Sequence, residues 1–239
     1  DALKDAVNDA LEARNDALSG ADTALDKASQ SVAALDPDVI AAQQALQDAV
    51  ANANADTGTT AAVTQATEAL NKAISDAESE QETARAAAAA AIAAMTPVSN
   101  EANILAAYKS LQDILDNQNA TADEITNATT ALTNETATEK AAREDTVSAA
   151  DTAVTNAQAG DNANDEGVKA AIENLQNVIA NATSETADTV DGKVPLTADI
   201  EAATQALAQA IADAASARED AVTAAQDMMS DTAPISLEP

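Results

Sequence analysis

The sequence predicts an all-α protein: tandem three-helix bundles that share long helices and together make an elongated rod. Three observations predict it. A short apolar element recurs as Ala45-Leu-Gln-Asp-Ala-Val50, Ser110-Leu-Gln-Asp-Ile-Leu115 and Asn174-Leu-Gln-Asn-Val-Ile179, with 65 residues from Leu46 to Leu111 and 64 from Leu111 to Leu175. Seven before these leucines stand Val39, Ile104 and Val168, and four before stand Ala42, Ala107 and Ala171. Those offsets share one helix face, and a period of this length marks an array of stacked supersecondary units. A second element alternates with the first: Ala69-Leu-Asn-Lys-Ala-Ile74, Ala131-Leu-Thr-Asn-Glu-Thr136, Ala206-Leu-Ala-Gln-Ala-Ile211 and the opening Ala2-Leu-Lys-Asp-Ala-Val7. Finally, 46% of residues are hydrophobic yet there is no Phe, Trp, His or Cys and one tyrosine, Tyr108. Without aromatics a wide core is hard to fill, so close-packed helices of Ala, Val, Leu and Ile are the natural solution.

Taken in order, the pattern places long helices at 1–35, 59–95, 121–159 and 197–231, and short ones at 37–54, 99–117 and 164–182. Pro37, Pro97 and Pro234 follow long helices or open the next element, where proline is tolerated. Gly58, Gly160 and Gly167 fall between helices, and Gly20, inside the first, marks a kink or a close approach. Thr121-Ala-Asp-Glu124 reads as a capping box, with Thr197 and Asp199 as a weaker version. Residues 184–195, holding Gly192, form a longer inserted loop.

A helix of about 38 residues spans roughly 57 Å and one of about 18 roughly 27 Å. A chain that climbs a long helix and returns along a short one therefore advances by about 30 Å per repeat. Each long helix is then shared by two bundles. This divides the chain into 1–15, the end of a preceding repeat; bundles at 16–75, 76–138 and 139–213; and 214–239, the start of a following repeat. The expected cores are Val39, Leu46, Val50, Val63, Leu70 and Ile74 in the first bundle and Ile104, Leu111, Leu115, Ile125 and Leu132 in the second. The third uses Val168, Leu175, Ile179, Ile200, Leu207 and Ile211.

The net charge of −30, from 41 acidic and 11 basic residues, repels nucleic-acid phosphates and anionic lipid, so neither is an expected partner. No apolar run reaches the roughly 18 residues of a membrane span, so no membrane insertion is expected. Absence of cysteine excludes disulfides and thiolate sites. No signal peptide is visible and the chain opens on a helical pattern, so it reads as a piece of a longer protein. With no His, no Cys and no glycine-rich phosphate loop, no active-site constellation is found, and the chain is expected not to be an enzyme. No catalytic residue, cofactor or metal is assigned. The Asp161-Asn-Ala-Asn-Asp-Glu-Gly167 loop lacks the alternate spacing of a calcium loop, and capping by Asp161 or Asp165 is the better reading.

One polar recurrence is too regular to be incidental. Arg14, Arg143 and Arg218 each lie eleven residues past a long-helix leucine (Leu3, Leu132 and Leu207), and the remaining repeat has Gln81 there with Arg85 one turn later. Near mid-helix, a guanidinium's rigid fork of donors suits loop carbonyls or carboxylates. A structural junction clamp is favoured over a solvated helix face or a ligand contact. Glu139 is placed to pair with Arg143 along the helix. Tyr108 reads as a partly buried packing residue in preference to an exposed binding anchor. The sequons at Asn119, Asn127, Asn134 and Asn181 carry little weight without a eukaryotic secretory setting.

The long-helix openings Thr121-Ala-Asp-Glu-Ile-Thr-Asn-Ala-Thr-Thr-Ala-Leu132 and Leu196-Thr-Ala-Asp-Ile-Glu-Ala-Ala-Thr-Gln-Ala-Leu207, with the short-helix Leu-Gln-Asp core, carry a resemblance. The chain resembles the FIVAR-type and related three-helix repeats of Gram-positive cell-wall-anchored surface proteins, and the giant extracellular matrix-binding proteins of staphylococci are similar in plan. Other spectrin-like rods share such spacing. The resemblance implies an extracellular, wall-attached stalk, monomeric within its array. No binding residues carry over, because the shared motif is a core motif. The expected function is a non-catalytic, semi-rigid spacer of a bacterial cell-surface adhesin. The alternative is that the repeats themselves bind a host extracellular protein or polysaccharide, which an exposed apolar stripe on one outer face would favour. An intracellular coiled-coil scaffold is a third reading, and the short return helices argue against it.

Overall fold

Several helix starts in this chain are written by side chains that cap them. Asp36 accepts from the amides of Asp38 (2.9 Å) and Val39 (3.3 Å) ahead of a helix that opens on Pro37. Thr59 accepts from Ala62 N at 3.2 Å, and Asp165 from Gly167 N at 2.8 Å and Val168 N at 3.1 Å. Thr121 and Glu124 form the reciprocal box, with Thr121 N donating to Glu124 Oε2 at 2.9 Å and Glu124 N to Thr121 Oγ1 at 3.2 Å. Each bond satisfies an amide that a helix start leaves without a partner.

The computed structural model describes residues 1–55, 57–183 and 195–231. Among them it holds seven helices and no strand: α1 (Ala2–Gln30), α2 (Pro37–Asn54), α3 (Thr60–Ala93), α4 (Ala102–Leu115), α5 (Ala122–Ala159), α6 (Glu166–Thr183) and α7 (Thr197–Asp231). The fold is all-α, with long and short helices alternating. Pro234 and the 184–194 part of the inserted loop, Gly192 included, lie outside the described residues.

The chain divides into two compact units. The first comprises Asp1–Ala94 and Ala106–Asn134; the second comprises Met95–Leu105 and the residues from Glu135 on. In the first unit, α1, α2 and α3 pack on one another. Their core takes Ala21, Ala24 and Ala28 from α1, Val39 and Leu46 from α2, and Val63, Leu70 and Ile74 from α3. Because the fully buried residues of α1 are alanines, with Leu25 half-buried beside them, the other two helices supply most of the bulk. The second unit gathers Ala150, Val154 and Ala157 of α5, Val168, Ile172 and Leu175 of α6, and Ile200, Ala203 and Leu207 of α7. Burying an aliphatic side chain contributes about 1.5–3 kcal/mol, so these small cores rest on few large contributors.

The expected core residues are buried except Val50, Leu115, Ile179 and Ile211, which are half-buried. Several boundaries differ from the sequence reading. Helix α1 stops at Gln30, not 35, because Ser31 turns to extended backbone; its hydroxyl donates to Glu78 Oε1 (2.7 Å) and accepts from Ala33 N (3.0 Å). Helix α4 is shorter than 99–117. Residues 95–101 form turns instead, with Val98 N bonded to Met95 O at 2.9 Å and Glu101 N to Val98 O at 3.1 Å. Gly167 lies in the first turn of α6, not between helices. A Cβ on Gly20 would meet nothing within 4 Å, so no close approach explains that glycine.

Candidate functional site

The last carbonyls of a helix have no partner within the helix and carry its negative dipole end, so a cationic donor placed there is favoured twice. Arg14 of α1 is so placed: its Nη2 donates to Ala53 O, one residue before the end of α2, at 2.7 Å. The α2 end is tight. Thr57 N and Gly58 N both reach Asn52 O, at 3.0 and 2.9 Å. A Cβ on Gly58 would stand 2.8 Å from Ala53 N.

In α3 the same register holds the buried Gln81, whose Nε2 donates to Ala120 O at 2.6 Å and Gln118 O at 3.2 Å, just ahead of the α5 capping box. The amide is too short to reach the helix end. Arg85, one turn on, does so instead, from Nη1 to Leu115 O at 2.9 Å and from Nη2 to Asn117 O at 3.1 Å.

Arg143 of α5 is buried in the second unit. Nη1 donates to Ala182 O near the end of α6 at 3.1 Å and to Pro97 O at 3.2 Å; Nη2 pairs with Glu101 Oε1 at 2.7 Å. The two side chains of this pair are 4% and 12% exposed. The same Glu101 oxygen accepts from Thr197 N (2.7 Å) and Thr197 Oγ1 (3.1 Å) at the start of α7. The Thr197 hydroxyl also lies 3.0 Å from Glu139 Oε1, and its single proton serves one carboxylate at a time. Glu139 Oε2 takes Asn103 Nδ2 at 3.3 Å. One node therefore ties the turn before α4, mid-α5, the end of α6 and the start of α7. Its imperfection is Arg143 Nε, buried without a hydrogen-bond partner.

Arg218 of α7 sits differently. Its Nη2 meets Asp161 Oδ2 at 3.3 Å, with the two side chains 58% and 83% exposed. Thus the structure places Arg14 and Arg143 on short-helix carbonyls and Arg218 on a surface carboxylate, and gathers none of the three with another. From donor to accepting carbonyl the spacing is 39 residues for Arg14–Ala53, Gln81–Ala120 and Arg143–Ala182 alike.

Sequence reasoning missed Glu101, and it read Thr197 as a helix cap without its bond to that carboxylate. Glu101 stands three residues before core Ile104, where Asp36 precedes Val39 and Asp165 precedes Val168. Both aspartates cap their own helices, whereas Glu101, one methylene longer, turns to Arg143 and Thr197. That carboxylate recurrence was the available signal. Glu139, placed by spacing beside Arg143, engages Thr197 and Asn103 instead, and Asp199 reaches back to Leu196 N (2.7 Å) instead of Thr197. Tyr108 is half-buried, with its hydroxyl accepting from Gln112 Nε2. Asp165 caps α6, while Asp161 faces Arg218.

A groove of about 780 Å³ in the second unit is lined by Leu105, Val178 and Leu196 and by Asn100, Asn174 and Asn181, among others. It presents no aromatic platform, and its Asp199 is occupied by Leu196 N. Among the described residues no group of three or more His, Cys, Asp or Glu is arranged to hold a metal, and no helix is long and apolar enough to cross a membrane. The chain matches no family model, no curated protein and no solved structure.

Proposed function

We propose that this chain is a non-catalytic helical stalk, a semi-rigid spacer region of an adhesin attached to a bacterial cell wall. In this reading each long helix belongs to two successive three-helix bundles, at 16–75, 76–138 and 139–213, with 1–15 and 214–239 belonging to neighbouring repeats. The observation that carries it is the recurring bond from a mid-helix donor to a carbonyl 39 residues on, at Arg14, Gln81 and Arg143. A donor at the middle of a long helix holds the end of the following short helix at Arg14 and Arg143 and the turn after it at Gln81, and so sets the register of the next bundle. Repetition of that constraint suits a spacer better than a pocket. The resemblance to wall-anchored surface repeats supplies the location and the adhesive setting.

The competing reading, binding by the repeats, would draw on apolar residues exposed at equivalent positions. Ile40 and Leu105 are two such residues, each one past a core residue, but the third position is Lys169, so the stripe breaks. Small-angle X-ray scattering on the chain in moderate salt tests the stalk. At 1.5 Å of rise per helical residue, the shared-helix rod should show a maximum dimension of about 100 Å or more with a narrow cross-section. A compact particle would sink the proposal.

A further inference from the structure

The seam that follows each mid-helix donor is covered in three of the long helices and bare in the fourth. After half-buried Arg14 come buried Ala21, Ala24 and Ala28; after Gln81 come Ala84 and Ala88; after Arg143 come Ala150, Val154 and Ala157. The same register in α7 carries Arg218, Ala221, Val222, Ala225 and Met228, and every residue of 215–230 is exposed. Val222 is 50% and Met228 67% exposed. Glu219, Asp220, Thr223 and Asp227 stand on the other side, so the helix is amphipathic, and none of Ala221, Val222, Ala225 and Met228 is buried by the described residues.

The rest of the chain indicates what fits there. The seam of α1 is covered by α2 and the first half of α3, through Val39, Leu46 and Leu70; that of α5 is covered by α6 and the first half of α7. In both cases the arginine at the head of the seam donates to a carbonyl near the end of the short helix. The bare seam is also continuous with an existing interface, since Ala210, Ile211 and Ala214 pack at the edge of the second unit's core.

We propose that the second half of α7 is a docking surface for a short–long helix hairpin of the kind this chain repeats, with Arg218 leaving Asp161 to grip the last turn of the short helix. This rests on the stalk reading above and names the partner chemistry of its exposed end: two antiparallel helices bearing aliphatic seams, the first ending in a buried carbonyl. A second copy of the chain fits less well, because its own bare seam, Leu3, Val7 and Leu11 on α1, offers one helix where two are needed.

The test continues the chain after Pro234 with a copy of residues 31–77, which sets the copied Ala53 carbonyl 39 residues past Arg218, the spacing seen at Arg14. Hydrogen exchange is followed over 215–230 in the natural and extended chains. A lone helical segment of this length is marginal in water, so the natural chain should exchange fast there. The extension should slow it by about tenfold or more, and Arg218→Ala in the extended chain should remove much of that protection. Unchanged exchange in 215–230 overturns the proposal, whether or not the extension folds, because α7 is the third helix it needs. Protection that ignores Arg218→Ala overturns the arginine's role. Protection that appears in the natural chain as its concentration rises, together with dimers by light scattering, overturns the hairpin in favour of a second copy. Scattering on the natural chain tests the stalk separately, so the two can fail independently.

Discussion

Arginines at one repeat position have different worth because burial, not position, sets what a charge contributes. Arg143 lies among Ala182 O, Pro97 O and the Glu101 carboxylate, out of water. Removing it strands Glu101 and two carbonyls, and breaking one side of a buried pair costs about 3–5 kcal/mol. Arg143→Ala should therefore lower unfolding free energy by that amount in urea titration, and Arg143→Lys should recover only part, since an ammonium lacks the planar fork. Arg218→Ala in the natural chain should change it by less than about 0.5 kcal/mol, the value of an exposed pair. Equal losses at both positions would refute this account. Glycines divide in the same way. Gly20 is helical with open space beside it, so Gly20→Ala should stabilise by about 0.5–1 kcal/mol. Gly58→Ala should destabilise, because the new Cβ would press to 2.8 Å on Ala53 N and disturb the carbonyl that Arg14 grips. Paired melting curves check both signs.

Elements start where side chains say they do, and here the sequence was most readable. Thr121→Ala removes the acceptor for Glu124 N and should cost about 1 kcal/mol, seen as faster amide exchange in the first turn of α5. An unchanged first turn would mean that packing, not the cap, holds it. The apolar spacing likewise places Val39, Leu46, Val63, Leu70, Val168, Leu175 and Leu207 in cores, and all seven are buried. Helix ends were less legible. Nothing in Ser31-Val-Ala-Ala-Leu35 forbids a helix; α1 stops at Gln30 through a bond from Ser31 to Glu78, 47 residues away. The burial of Ala21, Ala24, Ala28 and Ala88 was hidden for another reason, since alanine occupies every face of these helices and gives no contrast. Spacing alone singled out Arg14, Arg143 and Arg218 but not their partners, which are backbone carbonyls and a glutamate from distant turns. It also gave all three the same role, whereas Arg218 meets an exposed aspartate.

At the scale of the whole chain, net charge outweighs any single contact. With 41 acidic against 11 basic residues, like-charge repulsion is stronger in the folded state, where carboxylates are held closer than in an unfolded coil. Salt screens that repulsion, the Debye length falling from about 30 Å at 0.01 M to about 8 Å at 0.15 M. Salt also weakens attractive pairs, but Arg218–Asp161 and Lys72–Asp76 are exposed ones of little worth, and Arg143–Glu101, with its side chains 4% and 12% exposed, is poorly reached by ions. The relief of repulsion should therefore win. Melting temperature should rise as sodium chloride goes from about 0.01 to 0.15 M, and about 1 kcal/mol gained would appear as roughly 2–4 °C for a chain of this size. Arg143→Ala should show the same upward slope from a lower starting temperature, because the pair it removes contributes little to the salt response. A melting temperature that falls with salt would mean that attractive surface pairs outweigh the net charge. It would then be the arrangement of charges, and not their excess, that governs stability.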